Sequence, residues 1–277
     1  MMHLVRTLLG AASLLAAGWP ARVLADEGAN FVIAADGRWT LAGSTARLQI
    51  GQGIPAGARL SVDRPTTFDS IAIVDGRTGA FVLRVRCSPV ENCSQPLTVP
   101  AGSDTGRKDT GLLQAILEKA LKNFRGAPPR YVSHVSRGAL RVADGVLPLA
   151  DGKVDLAPLL ASLPPATFAV RWLPATCTET DACKDALGPY RYEWTPPPPV
   201  ALAVPLLKPG TYRLLIAQAV DPSRESQAWV KLTVPAEHGR VAALYAEVGK
   251  RVNEWGDDVD PGVKRGVLRA ALEGIAD

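Results

Sequence analysis

Short runs of apolar residues, each closed by glycine or proline, recur along most of the chain. The clearest example lies at 70–85, where the run SIAIV is followed by Asp75 and Gly76 and then by alternating apolar and polar positions. Short runs bounded by turn residues are typical of β-strands, and alternation indicates a strand with one buried face. The pattern predicts two groups of strands, at 38–41, 46–50, 59–62, 70–74, 80–86 and 97–99, and at 166–173, 189–194, 200–206, 210–220 and 226–234.

Three segments have the periodicity of amphipathic helices instead. The first covers 112–124 and can be capped by Asp109 or Thr110. The other two, 241–255 and 263–275, lie near the C-terminus, and Pro261 between them is typical of a first helical position. We expect these last two to form a helical hairpin that packs against the second group of strands.

Together these patterns predict a mainly β fold with two small β-domains, a linking helix and a C-terminal helical hairpin. The length that remains after a leader, about 250 residues, is enough for one large or two ordinary domains. The predicted divisions are 1–25 as a signal peptide, 30–105 as the N-terminal β-domain, 106–165 as a linking helix and strands, 166–235 as the second β-domain and 236–277 as the C-terminal helices.

Residues 1–25 have the pattern of a secretory signal peptide. Arg6 precedes an apolar core at 8–17, and the segment ends at Ala25, a small residue of the kind that a signal peptidase requires. The apolar core is shorter than the roughly 20 residues that span a bilayer, and an uncleaved anchor is the alternative. We therefore expect an exported protein, periplasmic or secreted, with no integral membrane span in the mature chain.

The charge balance argues against nucleic acid as a partner. The full chain has 31 Lys and Arg residues against 27 Asp and Glu residues, a formal net charge of +4. Removal of 1–25 takes away Arg6 and Arg22, which leaves 29 basic residues and a charge of +2. A charge this close to balance does not suggest nucleic acid or an anionic membrane as a partner.

The four cysteines occur in two C-x5-C loops, one with Cys87 and Cys93 and one with Cys177 and Cys183. Four cysteines allow three pairings, and we predict the two local disulfides because each closes a compact polar loop. In the chain-entropy model a loop this short stabilises the fold by about 2 kcal/mol. The alternative is a four-cysteine metal site, although zinc sites usually separate paired ligands by two to four residues. Disulfides are typical of exported proteins.

Two segments resemble known β-modules. Residues 48–85, with the turn pattern G-x-x-I-P-A-G-A-R-L followed by strands, resemble the small β-domain of FecR-like periplasmic proteins, which implies a periplasmic module linked to signal sensing. Residues 166–235 resemble immunoglobulin-like and fibronectin-like sandwiches through the pattern L-K-P-G-T-Y-R-L. In such sandwiches a tyrosine at the place of Tyr212 buries its ring and satisfies its hydroxyl on nearby backbone. Neither resemblance carries over a catalytic residue.

No familiar catalytic motif occurs in the chain. It has no G-x-S-x-G, H-E-x-x-H, P-loop or G-x-G-x-x-G pattern, and only His134 and His238 remain after the leader. The acidic turn around Asp258 invites a calcium interpretation, but the twelfth position counted from it holds Arg269, where an EF-hand needs Glu. We therefore predict no catalytic residue, no cofactor and no metal ligand.

The hypothesis that these observations favour is an exported, non-enzymatic binding or accessory module of the bacterial envelope, with an envelope protein as partner. Its expected contact surfaces are the proline run in 195–199, the two cysteine loops and the C-terminal helices. One alternative is a carbohydrate-active or other hydrolase that uses scattered carboxylates. The other is a structural envelope homo-oligomer. The sequence does not determine the oligomeric state.

Overall fold

The computed structural model describes residues 30–88, 93–101, 110–122, 142–177, 183–195 and 201–275. Within these residues the chain is mainly β, as predicted. The strands are β1 (Asn30–Asp36), β2 (Trp39–Leu41), β3 (Gly53–Ile54), β4 (Arg59–Val62), β5 (Ser70–Asp75), β6 (Phe81–Arg86), β7 (Leu97–Thr98), β8 (Gly145–Ala150), β9 (Lys153–Val154), β10 (Ala166–Pro174), β11 (Leu187–Trp194), β12 (Leu202–Ala203), β13 (Gly210–Gln218) and β14 (Asp221–Thr233). The helices are α1 (Thr110–Lys122), α2 (Ala157–Leu160), α3 (Pro235–Glu254) and α4 (Pro261–Gly274).

β1 and β5 are the central strands of a four-stranded antiparallel sheet with the order β3-β1-β5-β6. One face of this first sheet packs against helices, and the other packs against a small sheet with the order β2-β4-β7. Both central strands are apolar along nearly their whole length, since neither face is left to solvent. The side chains that face the helices are Phe31, Ile33, Ala72 and Val74, and those that face the small sheet are Val32, Ile71 and Ile73.

The small sheet and the first cysteine pair share one core. Trp39 and Leu60 are fully buried in it, together with Cys87 and Cys93. The indole N–H of Trp39 donates to the backbone carbonyl of Asp36 at 2.8 Å. This bond satisfies the one polar atom of the Trp39 ring, so the ring can be buried without leaving an unpaired donor.

The second sheet has seven strands in the order β11-β10-β13-β14-β8-β9-β12. Neighbouring strands are antiparallel except β14 and β8, which are parallel. β8 and β9 come from the predicted linking region 106–165, so this sheet includes strands from outside the predicted division 166–235. Local alternation does not reveal such a pairing, because the two strands are distant in the sequence. The immunoglobulin-like resemblance stays a prediction.

The core of the seven-stranded sheet is rich in aromatic residues, and Tyr212, which the sequence analysis singled out, packs against it. The hydroxyl of Tyr212 donates to the backbone carbonyl of Lys208 at 3.0 Å, which is the kind of contact expected for a tyrosine at this place. Its ring lies edge-on to the fully buried ring of Trp172, with 6.0 Å between the centroids. β11 adds Tyr192 and Trp194 to the same core.

α1, α3 and α4 form a layer that contacts both large sheets. α4 packs against α1 and α3, while α3 lies against β8 and α4 against β14. The same three helices share a core with β1 and β5 of the first sheet, where Trp255 and Val263 are fully buried. We expected the hairpin to pack against the second β-domain, and in the structure it packs against both sheets. An amphipathic stripe specifies which face of a helix is buried but not which element covers it.

Some predicted elements differ from the structure. The segment 46–50 is not a strand, and Arg47 within it makes only an isolated bridge to Thr40. β1 was not predicted at all, although it is a central strand. Among the described residues no helix is long and apolar enough to cross a membrane. The leader 1–25, His134 and the prolines of 196–199 lie outside the described residues.

Candidate functional site

A cleft opens at the outer edge of the first sheet, where β6 meets the turn between α3 and α4. Its volume is about 240 Å³, and we refer to it as the β6 cleft. Pockets for drug-sized ligands are usually larger, from about 300 to 1,000 Å³. The space therefore suits a group of one or two side chains. The cleft is lined by Ala34, Ser70, Ile71, Ala72, Arg84, Val85, Arg86 and Asp258.

The register of three strands gives the β6 cleft a floor of small side chains. Ala34 of β1 lies opposite Ala72 of β5, and Ala72 lies opposite Arg84 of β6. Ser70 and Arg86 form the next such pair along β5 and β6. Residues directly opposite each other on antiparallel strands project to the same face of a sheet. The small side chains therefore leave space beside the two long arginine side chains. This space lies on the same face of the first sheet that the helices cover elsewhere.

Asp258 forms the rim of the β6 cleft with the two arginines. Both Nε and Nη2 of Arg84 donate to one oxygen of the Asp258 carboxylate, and the bond from Nε is 2.9 Å long. Nη2 of Arg86 lies 3.9 Å from the other carboxylate oxygen. The guanidinium of Arg84 also lies 5.3 Å from the centroid of the Phe81 ring, a cation–π contact. Among the described residues, one carboxylate thus contacts the guanidinium of Arg84 and lies near that of Arg86.

The turn that carries Asp258 is held by contacts that do not involve its side chain. The fully buried Trp255 donates from its indole N–H to the backbone carbonyl of Gly79 at 2.9 Å. Val259 is fully buried in the helical core. The side chain of Asp260 caps α4 by accepting a backbone N–H at 2.6 Å. These contacts lie before and after Asp258 in the chain, and together they fix the turn that places its carboxylate at the rim of the cleft.

A second cleft lies between β11 and β12, the two outer strands of the seven-stranded sheet. Its volume is about 420 Å³, and its lining includes an exposed ion pair between Arg191 and Glu193 at 3.1 Å. The hydroxyl of Tyr192, which is also part of the lining, is buried and has no hydrogen-bond partner among the described residues. Burial, together with the charge of Asp155, raises the pKa of this hydroxyl. Residues 196–200 join the two strands and lie outside the described residues, so we place no site here.

A partly buried carboxylate lies at the junction of β8, β14 and the helices. Oδ1 of Asp144 accepts the backbone N–H of Trp229 at 2.7 Å. Burial raises the pKa of Asp144 above its ordinary value, while this hydrogen bond and the charge of Arg265 act in the opposite direction. Burial and then the charge of Asp144 raise the pKa of the Tyr245 hydroxyl. Because these groups connect the sheet to α3 and α4, we assign them a structural role.

The cysteines form the two local pairs that the spacing predicts, Cys87 with Cys93 and Cys177 with Cys183. The first bridge is buried under the small sheet, whereas the second is only partly buried, and neither lines the β6 cleft. Arg213 donates to the backbone carbonyl of Cys177 at 3.4 Å. Disulfides persist in oxidising compartments and are rare in the cytosol. The two bridges therefore indicate a non-cytoplasmic protein.

The remaining candidates for chemistry make ordinary contacts. Nδ1 of His238 lies 3.5 Å from the hydroxyl of Thr233, next to the start of α3. Asp258, which invited the calcium interpretation, is paired with Arg84 instead. In the part of the chain that the structure describes, no group of three His, Cys, Asp or Glu side chains could hold a metal ion. That the protein has no catalytic, cofactor or metal residue stays a prediction.

No protein-family model, curated protein or solved structure matches this chain.

Sequence reasoning did not find the β6 cleft. Arg84 and Asp258 are 174 residues apart and were assigned to different domains. One local signal existed, since Arg84 and Arg86 occupy the polar positions of an otherwise apolar strand. Two polar positions are equally typical of a strand face exposed to solvent. Only the packing of α3 and α4 on the sheet brings Asp258 close to these arginines.

Proposed function

We propose that this protein is an exported, non-enzymatic binding module of the bacterial envelope that contacts another envelope protein through the β6 cleft. The observation that carries the proposal is the cleft itself, in which Arg84 and Arg86 stand over a floor of small residues beside Asp258. β6 is the outer strand of its sheet among the described residues. A partner can therefore approach the cleft from the side as well as from above.

Export is supported by two independent features. The segment 1–25 has the pattern of a signal peptide, and both cysteine pairs are joined. The resemblance of residues 48–85 to FecR-like periplasmic domains favours a periplasmic location and a role in signal sensing. The β6 cleft is built partly from this same region, since Ser70, Ala72 and Arg84 belong to it.

The geometry favours binding over glycoside hydrolysis. The β6 cleft has one carboxylate in its lining, Asp258, and the second cleft also has one, Glu193. Glycosidases use two carboxyl groups roughly 5 to 10 Å apart, one on each side of the bond to be cleaved. Neither lining supplies such a pair.

The proposal is tested by photo-cross-linking in the host that produces the protein. A photoreactive amino acid replaces Asp257, which is exposed and adjacent to Asp258, in the full chain. The matched control carries it at Arg240, an exposed position of α3 roughly 20 Å away along the helix axis. We expect one envelope protein to be captured at position 257 and not at 240.

Two results of this experiment would contradict the proposal. Equal capture of the same proteins at both positions would show that the β6 cleft is not the contact surface. Capture of a second copy of the chain in place of another protein would favour the structural homo-oligomer.

A further inference from the structure

The register between β5 and β6 determines which backbone groups of β6 point away from the first sheet. The backbone N–H of Cys87 donates to the carbonyl of Asp69 at 2.8 Å, at the end of the ladder in which Ala72 lies opposite Arg84. Pairs of residues on antiparallel strands alternate between those that exchange backbone hydrogen bonds and those that do not. Counted from Cys87, the backbone of Val85 therefore bonds to β5, whereas the N–H and C=O of Arg84 point outward.

The outward backbone groups of Arg84 are open to a further strand. β6 is the outer strand of the first sheet, and these two groups have no hydrogen-bond partner among the described residues. An unpaired N–H and C=O on an edge strand act as a template for pairing with another chain. A charged side chain can discourage such pairing, but the guanidinium of Arg84 is already bound to Asp258.

The other outer strands of the described sheets are protected against such pairing. β3, β7 and β12 have two residues each and β2 has three. β11 is longer but contains Pro189. Short edge strands and proline are common means by which proteins prevent edge-to-edge association. β6 has six residues and no proline, which makes it the longest unprotected edge in the part of the chain that the structure describes.

The surroundings of Arg84 determine which side chains an added strand can carry. A residue paired with Arg84 projects to the same face of the sheet, which is the face of the β6 cleft and its volume of about 240 Å³. The residues before and after it project to the opposite face. There they lie beside Leu83 and Val85, which are only partly buried against the core of the small sheet. An added strand would therefore place one side chain in the cleft and extend that core with two apolar ones.

We propose that an extended segment of the partner protein joins the first sheet as a further strand beside β6 and pairs with the backbone of Arg84. This inference rests on the proposed function and names how the contact surface recognises its partner. The segment has apolar residues on both sides of the residue that lies opposite Arg84. In this mode of recognition main-chain hydrogen bonds provide affinity, and alternate side chains provide specificity.

The test compares two substitutions of Arg84 in the cross-linking experiment at position 257. Arg84→Pro removes the outward N–H but no hydrogen bond to β5, and edge strands tolerate proline at such positions. Arg84→Gln is the matched reference, because it also loses the ion pair with Asp258 but keeps the N–H. We expect capture of the envelope protein to be about tenfold lower with Arg84→Pro than with Arg84→Gln, since the segment loses a hydrogen bond and buries an unpaired carbonyl.

A third variant checks that the effect is not a loss of folding. Val85→Pro removes a hydrogen bond to β5 and should lower the midpoint of urea unfolding far more than Arg84→Pro does. Arg84→Pro should unfold cooperatively, with a midpoint close to that of Arg84→Gln. If Arg84→Pro does not fold, hydrogen exchange of the unsubstituted chain decides.

Hydrogen exchange tests the same geometry without any substitution. In the purified full chain, with both disulfides formed, the Arg84 amide should exchange at least about tenfold faster than the Val85 amide, which bonds to β5. Addition of the captured envelope protein, once purified, should slow exchange at Arg84 about tenfold. Slow exchange at Arg84 in the isolated chain, or no change when that protein is added, would overturn the inference.

Failure of this inference can be told apart from failure of the proposed function. Equal capture of the same envelope protein with Arg84→Pro and Arg84→Gln overturns the added strand but leaves the β6 cleft as the contact surface. Absence of capture at position 257 in the otherwise unsubstituted chain overturns both. Capture of a second copy of the chain, lost with Arg84→Pro, would show that two β6 strands pair with each other and would also overturn both.

Discussion

The two large sheets of this protein differ in what covers them. The first sheet is short, and one of its faces is covered by α1, α3 and α4, in a core that includes Trp255. The seven-stranded sheet surrounds a core built from its own strands and α2, and the helices contact it from outside, at β8 and β14.

This difference explains why the β6 cleft lies on the first sheet. The helices that cover the first sheet come from other parts of the sequence, and they bury its face only where they contact it. The helical layer ends at the turn with Asp258, and beyond it the small residues Ala34 and Ser70 are left beside two arginines. In the seven-stranded sheet the rings of Trp172 and Tyr212 contact each other within the core that the sheet builds itself. The difference between the two sheets can be tested with substitutions that remove contacts in the core of each.

The largest effect is expected at Trp255. Trp255→Ala removes a fully buried ring and leaves the Gly79 carbonyl without its donor, so we expect the free energy of unfolding to fall by about 3–5 kcal/mol. Trp229→Ala is the control on the seven-stranded sheet, because its ring is only half-buried and lies under the Arg269 guanidinium, 3.8 Å from the ring centroid. We expect a loss of about 1 kcal/mol there. Urea titration followed by circular dichroism measures both, and equal losses would contradict the distinction between the sheets.

The two disulfides should also contribute unequally to the stability of the fold, with Cys87–Cys93 contributing more than Cys177–Cys183. Each closes a loop of the same length, so the chain-entropy model predicts about 2 kcal/mol for either. The Cys87–Cys93 bridge is also buried in the core of the small sheet, whereas Cys177–Cys183 is only partly buried. Replacing the first pair by alanine should therefore cost more than replacing the second, as measured by thermal unfolding of the two double variants. A larger loss for the second pair would show that burial does not separate them.

A smaller effect is expected at the tyrosine corner of the seven-stranded sheet. Tyr212→Phe keeps the ring against Trp172 but removes the hydrogen bond to the Lys208 carbonyl. We expect a loss of about 1 kcal/mol in the free energy of unfolding. The control is Tyr190→Phe on β11, whose hydroxyl makes no hydrogen bond among the described residues. If both variants are as stable as the wild type, the Tyr212 hydroxyl does not hold this corner.

The smallest effect, and the only one that depends on pH, is expected where the seven-stranded sheet meets the helices. Burial raises the pKa of Asp144 in the folded state above its ordinary value of 3.8. The folded chain therefore holds this proton more tightly than the unfolded chain. The stability that Asp144 contributes is fully present below its ordinary pKa and is lost as the pH rises through the raised value.

Asp144→Asn keeps an oxygen that can accept the Trp229 N–H but carries no charge. The variant should match the wild type at pH 3 and be slightly more stable at pH 7, as measured by urea titration at the two values. Asp151→Asn, at an exposed turn, is the control and should show no such difference. A variant that is less stable than the wild type at pH 7 would show that the favourable contacts of the charged Asp144 outweigh the cost of its burial.

Much of the fold could be predicted where the signal is local. β4 and α4 lie close to their predicted positions, because alternation and a proline at the first helical position are properties of neighbouring residues. β1 was missed because a strand covered on both faces has no polar positions to alternate. The segment 46–50 was wrongly predicted to be a strand, because its short alternation does not specify a partner strand.

The candidate site could not be predicted from the sequence, because the residues that form it are far apart in the chain. Arg84 is recognisable as a polar position of a strand and Asp258 as part of an acidic turn, but no local pattern joins them. Their contact depends on the packing of Trp255 against Gly79 and on the register between β5 and β6. These are long-range interactions, which no pattern of neighbouring residues specifies.

By itself the sequence determined the mainly β class, the positions of most strands and helices, and the local pairing of Cys87 with Cys93 and of Cys177 with Cys183. Each of these depends on residues close together in the chain, through side-chain periodicity, turn geometry or a short loop. The tertiary structure alone decided that the helices form a layer in contact with both sheets and that this layer ends beside β6. Burial drives a helix to cover apolar surface but does not choose which surface, so the cleft at Arg84 and Asp258 appears only when the whole chain is packed.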